Sequence, residues 1–200
     1  MIVFYHGGKE YVPYPSPNLQ KICRAMVKRG ADNVFCQHSH CIGCYEKYQD
    51  GYIVYGQGNF IFDHSDHPMW QTGLLIKVLL GKKKDIDFIP IRKKQECVDL
   101  ADGSDGETIL EEFNMRSSKV NDPEFIANEW EKFCMEMAPR YLHAFHGSGR
   151  IFRGVDCRVL KGKLISKLYR KQSLCALHNI IVCDAHSDVI RTFLECMYKK

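Results

Sequence analysis

The segment Gly30–Cys44 reads GADNVFCQHSHCIGC, and it places two histidines and three cysteines around a short apolar run. Residues 33–37 have the length and composition of a buried strand. Upstream, Ser16-Pro17 is typical of a helix start, and Gly30 is typical of a helix end. The order of helix, strand and polar loop predicts an α/β layered domain, in which the histidines follow the carboxyl end of a strand.

Further elements are predicted on both sides of this segment. Ile2–Tyr5 and Tyr52–Tyr55 have the composition of strands, and residues 72–80 and 85–91 are typical of a β-hairpin. Helical patterns prevail after residue 98, and they cover residues 107–115, a long helix that opens at Asp122-Pro123, and stretches near 158–171 and 186–198. We therefore predict a domain at residues 1–98 and a helical C-terminal extension at residues 99–200.

The composition excludes several classes of protein. With 45% hydrophobic and 12% aromatic residues, the 200-residue chain can bury a core, which excludes a disordered protein. No apolar run has the length of a transmembrane helix, and the opening MIVFYHGG lacks the features of a signal peptide. We interpret the ten cysteines as reduced thiols of a cytoplasmic protein, with Cys23, Cys134 and Cys196 on apolar helix faces.

The cysteine spacing is a weak metal signal. Cys36, Cys41 and Cys44 follow the C-x4-C-x2-C spacing of plant-type iron–sulfur proteins. The fourth ligand would be Cys97, which lies beyond the predicted hairpin, and no second ligand pair has zinc-finger spacing. We interpret these three cysteines as structural thiols.

The histidines are better placed for a metal. His38 and His40 are two residues apart, so in an extended segment their side chains point to the same side. Ligands bind at the carboxyl ends of strands in open α/β sheets, and neutral imidazoles bind Zn, Mn and Fe. Spacing alone also allows two surface histidines. His6 favours the metal site, because it ends the first predicted strand and precedes Gly7-Gly8.

Three motifs carry a resemblance to a known family. His6–Tyr11 (HGGKEY) resembles the H-W-G-x-E-Y segment of the CapA-like, poly-γ-glutamate capsule-synthesis family. Residues 30–40 resemble its G-A-D-x-V-I-G-x-H-P-H motif, and residues 55–63 (YGQGNFIFD) resemble its Y-S-L-G-N-F-x-F-D motif. The motifs occur in the same order, and the resemblance covers residues 2–95. This chain departs from the pattern at positions that include Gly7 for Trp, Cys36 for Gly and Ser39 for Pro.

The resemblance implies the C-terminal part of a metallophosphoesterase-like layered β core with flanking helices. It implies that His6, His38 and His40 are ligands of a divalent metal (Mn, Zn or Fe). Catalytic roles at the pocket would fall to Asn59 and Glu10, with support from Asp63. The family's remaining ligands, an Asp pair and an Asn-His segment, come from an N-terminal half, and this chain opens with the predicted strand Ile2–Tyr5. We therefore expect residues 1–200 alone to be a poor catalyst.

Two functions remain open at this stage. The first is a CapA-like bacterial protein of capsule or polyglutamate biosynthesis, which in its complete form is a metal-dependent hydrolase. The alternative is a non-catalytic binding or assembly module, whose basic helical tail binds an anionic polymer such as polyglutamate.

The basic tail spans residues 140–171, with nine Lys and Arg and one acidic residue, Asp156. Part of it is expected to form an amphipathic helix, and a solvated basic face is the plainer interpretation of its charge. Nothing in the tail interleaves aromatic residues in a nucleic-acid-binding pattern, and the sequence leaves the oligomeric state open. The apolar side chains expected to point inward are Val159, Leu160, Leu164, Ile165 and Leu168.

Overall fold

The computed structural model describes residues 1–61, 67–81, 85–94 and 97–198. These residues form a mixed α/β structure with two sheets, which confirms the predicted α/β class. The two-layer metallophosphoesterase-like arrangement stays a prediction. The strands are β1 Ile2–His6, β2 Asn33–Gln37, β3 Tyr45–Tyr48, β4 Gly51–Val54, β5 Thr72–Leu79, β6 Asp85–Lys94 and β7 Cys97–Leu100. The helices are α1 Pro17–Lys28, α2 Gly103–Lys119, α3 Pro123–His146, α4 Arg150–Arg158, α5 Lys163–Leu168, α6 Lys171–Val182 and α7 Asp184–Tyr198, with a 3-10 turn at Pro68–Trp70.

The first sheet has the strand order β1-β2-β4-β3. β1, β2 and β4 are parallel, and β3 is antiparallel to β4. α1 connects β1 to β2 and begins as predicted, because the Ser16 Oγ accepts a hydrogen bond from the Leu19 N–H at 3.1 Å. The apolar face of α1 packs on the sheet and forms the main core with residues that include Cys23, Val34, Cys36, Cys44 and Ile53.

The second sheet contains the predicted hairpin. β5 and β6 pair antiparallel along their length, and β7 adds to β6. The turn residues 82–84 lie outside the described residues. Sequence analysis did not predict β3 or β7, which have four residues each and a mixed polar composition.

The chain divides into two compact units, Met1–Lys132 and Phe133–Lys200. The predicted domain boundary at residues 98/99 stays a prediction. Within the second unit, the helix expected near residues 158–171 is interrupted. Gly162 has a left-handed φ of 78°, and a Cβ at this position would lie 2.3 Å from Pro139, so the chain turns there and α5 starts anew.

Several expected core positions are exposed. Ile165 is fully buried, but Val159, Leu164 and Leu168 are exposed, so the inward orientation predicted for these three is wrong. The cause is the break at Gly162, which gives α4 and α5 separate inward faces. Cys23 is buried as predicted, whereas Cys134 and Cys196 are exposed, because the helices that carry them turn those faces to solvent.

Candidate functional site

The site begins where two parallel strands end together. His6 and Gln37 are the last residues of β1 and β2, and they are paired in the sheet register. The Gly7 N–H donates to the Gln37 carbonyl at 3.2 Å, and the Tyr11 N–H donates to the Ser39 carbonyl at 2.7 Å. The loops after the two strands are therefore bonded to each other, which brings His6 next to the His38–His40 segment.

The His38–His40 segment is not extended, contrary to the sequence-based expectation. His38 has a φ of 90° and His40 a φ of 53°, in the left-handed region that non-glycine residues seldom occupy. The buried Ser39 between them stabilises this turn, since its Oγ donates to the Cys41 carbonyl at 3.1 Å. Unusual backbone conformations of this kind cluster at functional sites.

Both histidines, together with His6, line a cavity of about 580 Å³. Its polar wall comes from the three imidazoles, the side chains of Gln37 and Gln57, and Asn59. Its apolar wall comes from Phe60, Ile61 and the second sheet, where it includes Leu75 and Ile91. A volume of this size is in the range of small-molecule sites.

The imidazole rings lie close together. The ring centres of His6 and His38 are 4.9 Å apart, and those of His38 and His40 are 6.0 Å apart. Two imidazoles that share a metal at N–metal distances of about 2.0–2.1 Å have ring centres about 5 Å apart. The first pair therefore fits a shared metal, and the second pair is wider.

A complete ligand set is not formed in the part of the chain that the structure describes. There, no group of three or more His, Cys, Asp or Glu side chains is arranged to hold a metal ion. Imidazole chemistry suits a divalent metal, and the ring centres of His6 and His38 have a spacing compatible with a shared ion. The three-histidine set stays a prediction.

Asn59 fixes the orientation of His40. The Asn59 Nδ2 donates to the His40 carbonyl at 3.3 Å, so its Oδ1 is the atom that faces the His40 ring at 2.9 Å. A carbonyl oxygen only accepts, and the His40 Nδ1 therefore carries the proton. In the neutral ring, this tautomer puts the lone pair on the His40 Nε2, the nitrogen through which such a ring would bind a metal.

Trp70 forms a second contact to the same ring, and sequence analysis missed it. The His40 and Trp70 rings stack at 4.5 Å with an interplanar angle of 14°, and Trp70 is 4% exposed. The Tyr11 ring lies 6.0 Å from Trp70 on the β1 side of the site. A tryptophan just before a strand is the only sequence signal for this role, and it does not distinguish a site residue from a core residue.

Glu10 stands apart from the residues that line the cavity. Its carboxylate pairs with the Lys9 ammonium at 3.2 Å, and its side chain is 42% exposed. The hydrogen bond and charge of Lys9 lower the pKa of Glu10, and the nearby His38 and His40 contribute in the same direction. Asp63 lies outside the described residues.

The cysteines are buried in the core near this loop. Burial raises the pKa of Cys41 to about 11 and also raises the pKa of Cys44. The pKa of Cys36 is raised by its contact with the Cys23 thiol, at an Sγ–Sγ distance of 3.4 Å, and by burial. Protonated thiols are poor ligands and nucleophiles, which supports the structural interpretation of these cysteines.

No helix among the described residues has the length and apolarity needed to cross a bilayer. All ten cysteines are free thiols.

Comparison with known proteins supports the resemblance that the sequence motifs carry. Residues 1–64 match the family described as bacterial capsule synthesis protein PGA_cap. The chain is 40% identical over 63 residues to the capsule biosynthesis protein CapA of Bacillus anthracis, which is 32% of this chain and 15% of that protein. It is 36% identical over 63 residues to the PGA biosynthesis protein CapA of Bacillus subtilis (strain 168), which is 32% of this chain and 17% of that protein.

The matched region contains His6, His38, His40 and Asn59, and it covers less than a fifth of either relative. The resemblance that we identified over residues 2–95 is thus confirmed over residues 1–64. Over this partial region, the chain is similar to the CapA-like capsule synthesis family.

Proposed function

We propose that residues 1–98 form the histidine-bearing part of a divalent-metal site in a protein of capsule polymer biosynthesis. The observation that carries this proposal is the position of His6, His38 and His40 at one cavity, beyond the carboxyl ends of two parallel strands. The names of the two relatives, a capsule biosynthesis protein and a PGA biosynthesis protein, support poly-γ-glutamate as the polymer.

The donor set suits Mn, Zn or Fe, since neutral imidazoles bind all three. His6 and His38 would hold the ion first, because their ring spacing already matches a shared metal. His40 would join through its Nε2, with Asn59 as the residue that holds the ring and its tautomer. A bound divalent ion would polarise a phosphoryl or carbonyl oxygen of the substrate.

The rest of the cavity would position the substrate. Gln37 Nε2 donates to Gln57 Oε1 at 3.3 Å, and this amide pair offers further donors and acceptors at the polar wall. The apolar side chains of Leu75 and Ile76, which line the cavity, would contact the methylene groups of a polymer such as polyglutamate. A cavity with both polar and apolar walls suits a chain whose charged and methylene portions alternate.

In this proposal, hydrolysis requires metal ligands beyond the three histidines. A two-metal centre uses a carboxylate to hold its ions together, and the described residues that line the cavity include no Asp or Glu. We therefore expect residues 1–200 to bind a metal and to show negligible metal-dependent phosphoesterase turnover.

The test is metal binding by the 200-residue chain. Calorimetry with Zn²⁺ or Mn²⁺ should show binding that His38→Ala abolishes and that Cys41→Ser with Cys44→Ser leaves in place. Circular dichroism of each variant confirms that it is folded, and Cys97→Ser is the matched control for an exposed thiol. Loss of binding in the double cysteine variant, with binding retained in His38→Ala, would contradict the proposal.

The alternative is the non-catalytic module with a basic helical tail. It predicts that the chain binds no divalent metal at this cavity, so the same titration separates the two functions. An unaltered chain that takes up neither Zn²⁺ nor Mn²⁺ would favour the alternative.

A further inference from the structure

The stretch from Arg140 to Lys171 carries a large excess of positive charge. All nine of its Lys and Arg side chains are exposed. Its single acidic residue, Asp156, is fully buried. Within the described part of the chain, none of the nine forms an ion pair. The surface of this stretch therefore carries cations alone.

These cations sit on a fixed scaffold. The buried Asp156 of α4 contacts the His143 Nε2 of α3 at 2.8 Å and accepts hydrogen bonds from the Leu164 and Ile165 N–H groups of α5, both at 3.0 Å. The Tyr169 hydroxyl donates to the Leu142 carbonyl at 3.2 Å. One carboxylate thus joins three helices, and their exposed side chains have defined positions.

α4 also exposes a stripe of large apolar side chains. Ile151, Val155 and Val159 are four residues apart, so they lie along one side of the helix, and they are 85%, 48% and 70% exposed. Arg150 and Arg158 belong to the same turns. An isolated exposed leucine or valine is ordinary, but three in one stripe between arginines form an amphipathic basic surface.

α5 repeats this arrangement. Its buried residue is Ile165, while Lys163 and Lys167 are exposed four residues apart. Next to them, Leu164 and Leu168 are 38% and 53% exposed. Each of the two helices therefore displays paired cations beside paired apolar side chains.

We propose that α4 and α5 form a surface that binds an anionic lipid bilayer without crossing it. Lys and Arg side chains are attracted to the negative headgroups, and the apolar side chains enter the boundary between headgroups and acyl chains. A dissolved polyanion such as polyglutamate would satisfy the cations, but its short methylene segments beside charged carboxylates offer no continuous apolar medium for Ile151 and Val159. The apolar stripe therefore favours a bilayer over a polymer. This inference goes beyond the metal site and is independent of it.

The test uses the full chain and sedimentation with vesicles. The protein should bind vesicles of equimolar phosphatidylcholine and phosphatidylserine, bind pure phosphatidylcholine far more weakly, and be released by salt. Lys163→Gln with Lys167→Gln should weaken binding about 25-fold, since each cation near such a surface contributes about fivefold. Lys21→Gln with Lys94→Gln removes the same charge from exposed positions elsewhere and should leave binding unchanged.

The apolar contribution distinguishes a bilayer from a polymer. Ile151→Ser with Val159→Ser should weaken vesicle binding about tenfold or more, because each buried methylene contributes to insertion. The same variant should bind polyglutamate as the unaltered chain does. Thermal unfolding verifies that all three double variants fold, which is expected because the substituted positions are exposed. Equal binding to both kinds of vesicle, full binding by the serine variant, or tighter binding to polyglutamate than to the anionic vesicles would overturn the proposal.

Discussion

Two histidines of this protein have similar hydrogen bonds and opposite surroundings. The His40 Nδ1 contacts the Asn59 Oδ1 at 2.9 Å, and the His143 Nε2 contacts the Asp156 Oδ2 at 2.8 Å. His40 lines a cavity, whereas His143 is 1% exposed and its Nδ1 has no hydrogen-bond partner among the described residues. Access to the ring, rather than the hydrogen bond, separates a ligand candidate from a structural histidine.

The partner of each histidine follows the same division. Asn59 is a neutral amide that contacts His40 twice and orients it. Asp156 is a fully buried carboxylate that also accepts hydrogen bonds from the backbone of α5. Burial acts to raise the pKa of Asp156, but the Leu164 and Ile165 N–H groups and His143 outweigh it, so this pKa is lowered.

The substitution Asp156→Ala tests the structural role assigned to the His143–Asp156 pair. The change leaves the Leu164 and Ile165 N–H groups and His143 without their shared acceptor in a buried place. We expect this variant to lose more thermal stability than any other variant proposed here, because α3, α4 and α5 are no longer joined by the Asp156 carboxylate. Thermal unfolding and far-ultraviolet circular dichroism measure it. His40→Ala is the matched control, and it should leave both signals nearly unchanged.

Equal destabilisation by Asp156→Ala and His40→Ala would show that both histidine sites are structural. The division between a scaffold and a ligand site would then be wrong.

The substitution Asn59→Ala tests the role assigned to His40 at the cavity. Removing a residue that orients a metal-binding histidine weakens metal affinity by about 10–100-fold. We expect that loss in a Zn²⁺ titration, with little change in the free energy of unfolding, because Asn59 is only part-buried. Asn59→Asp keeps an acceptor for the His40 Nδ1 and should retain more affinity than the alanine variant. Unchanged affinity in Asn59→Ala would contradict the role assigned to this amide.

Lowering the pH should destabilise the protein at the Asp156 site. We expect this effect to be smaller than the effects of Asp156→Ala and Asn59→Ala. Because the pKa of Asp156 is lowered on folding, its stabilisation is present above the unfolded value of about 3.9 and is lost as pH falls through the folded value. The helical signal of the unaltered chain should therefore fall more steeply below about pH 4 than that of Asp156→Asn, which cannot titrate there. Parallel acid curves for the two chains would count against this assignment.

Sequence patterns succeeded where local chemistry decides the structure. Ser16 and Pro17 predict the start of α1, residues 33–37 are β2, and the β5–β6 hairpin lies where alternation and glycine place it. The three motifs also identified the family over its matched region. Each of these signals resides in neighbouring residues, so no knowledge of distant contacts is needed.

Contacts between distant segments could not be predicted from the sequence. The stacking of Trp70 on His40 depends on how the turn before β5 meets the loop after β2. His38 and His40 adopt left-handed conformations in a loop that is bonded to the distant Tyr11 through the Ser39 carbonyl. Val159 was assigned to a core because helical periodicity cannot show that Gly162 divides the helix.

The burial of thiols in the first unit determines which cysteines are oxidised first in air. Oxidation of cysteine requires both solvent access and a thiolate, and the buried thiols with raised pKa beneath the histidine loop, Cys36, Cys41 and Cys44, have neither. Oxidants would first reach the exposed cysteines and link one chain to another through them. Such covalent dimers would form while the packing around the histidines stays intact. The exposed thiols are those of Cys97, Cys134, Cys175 and Cys196.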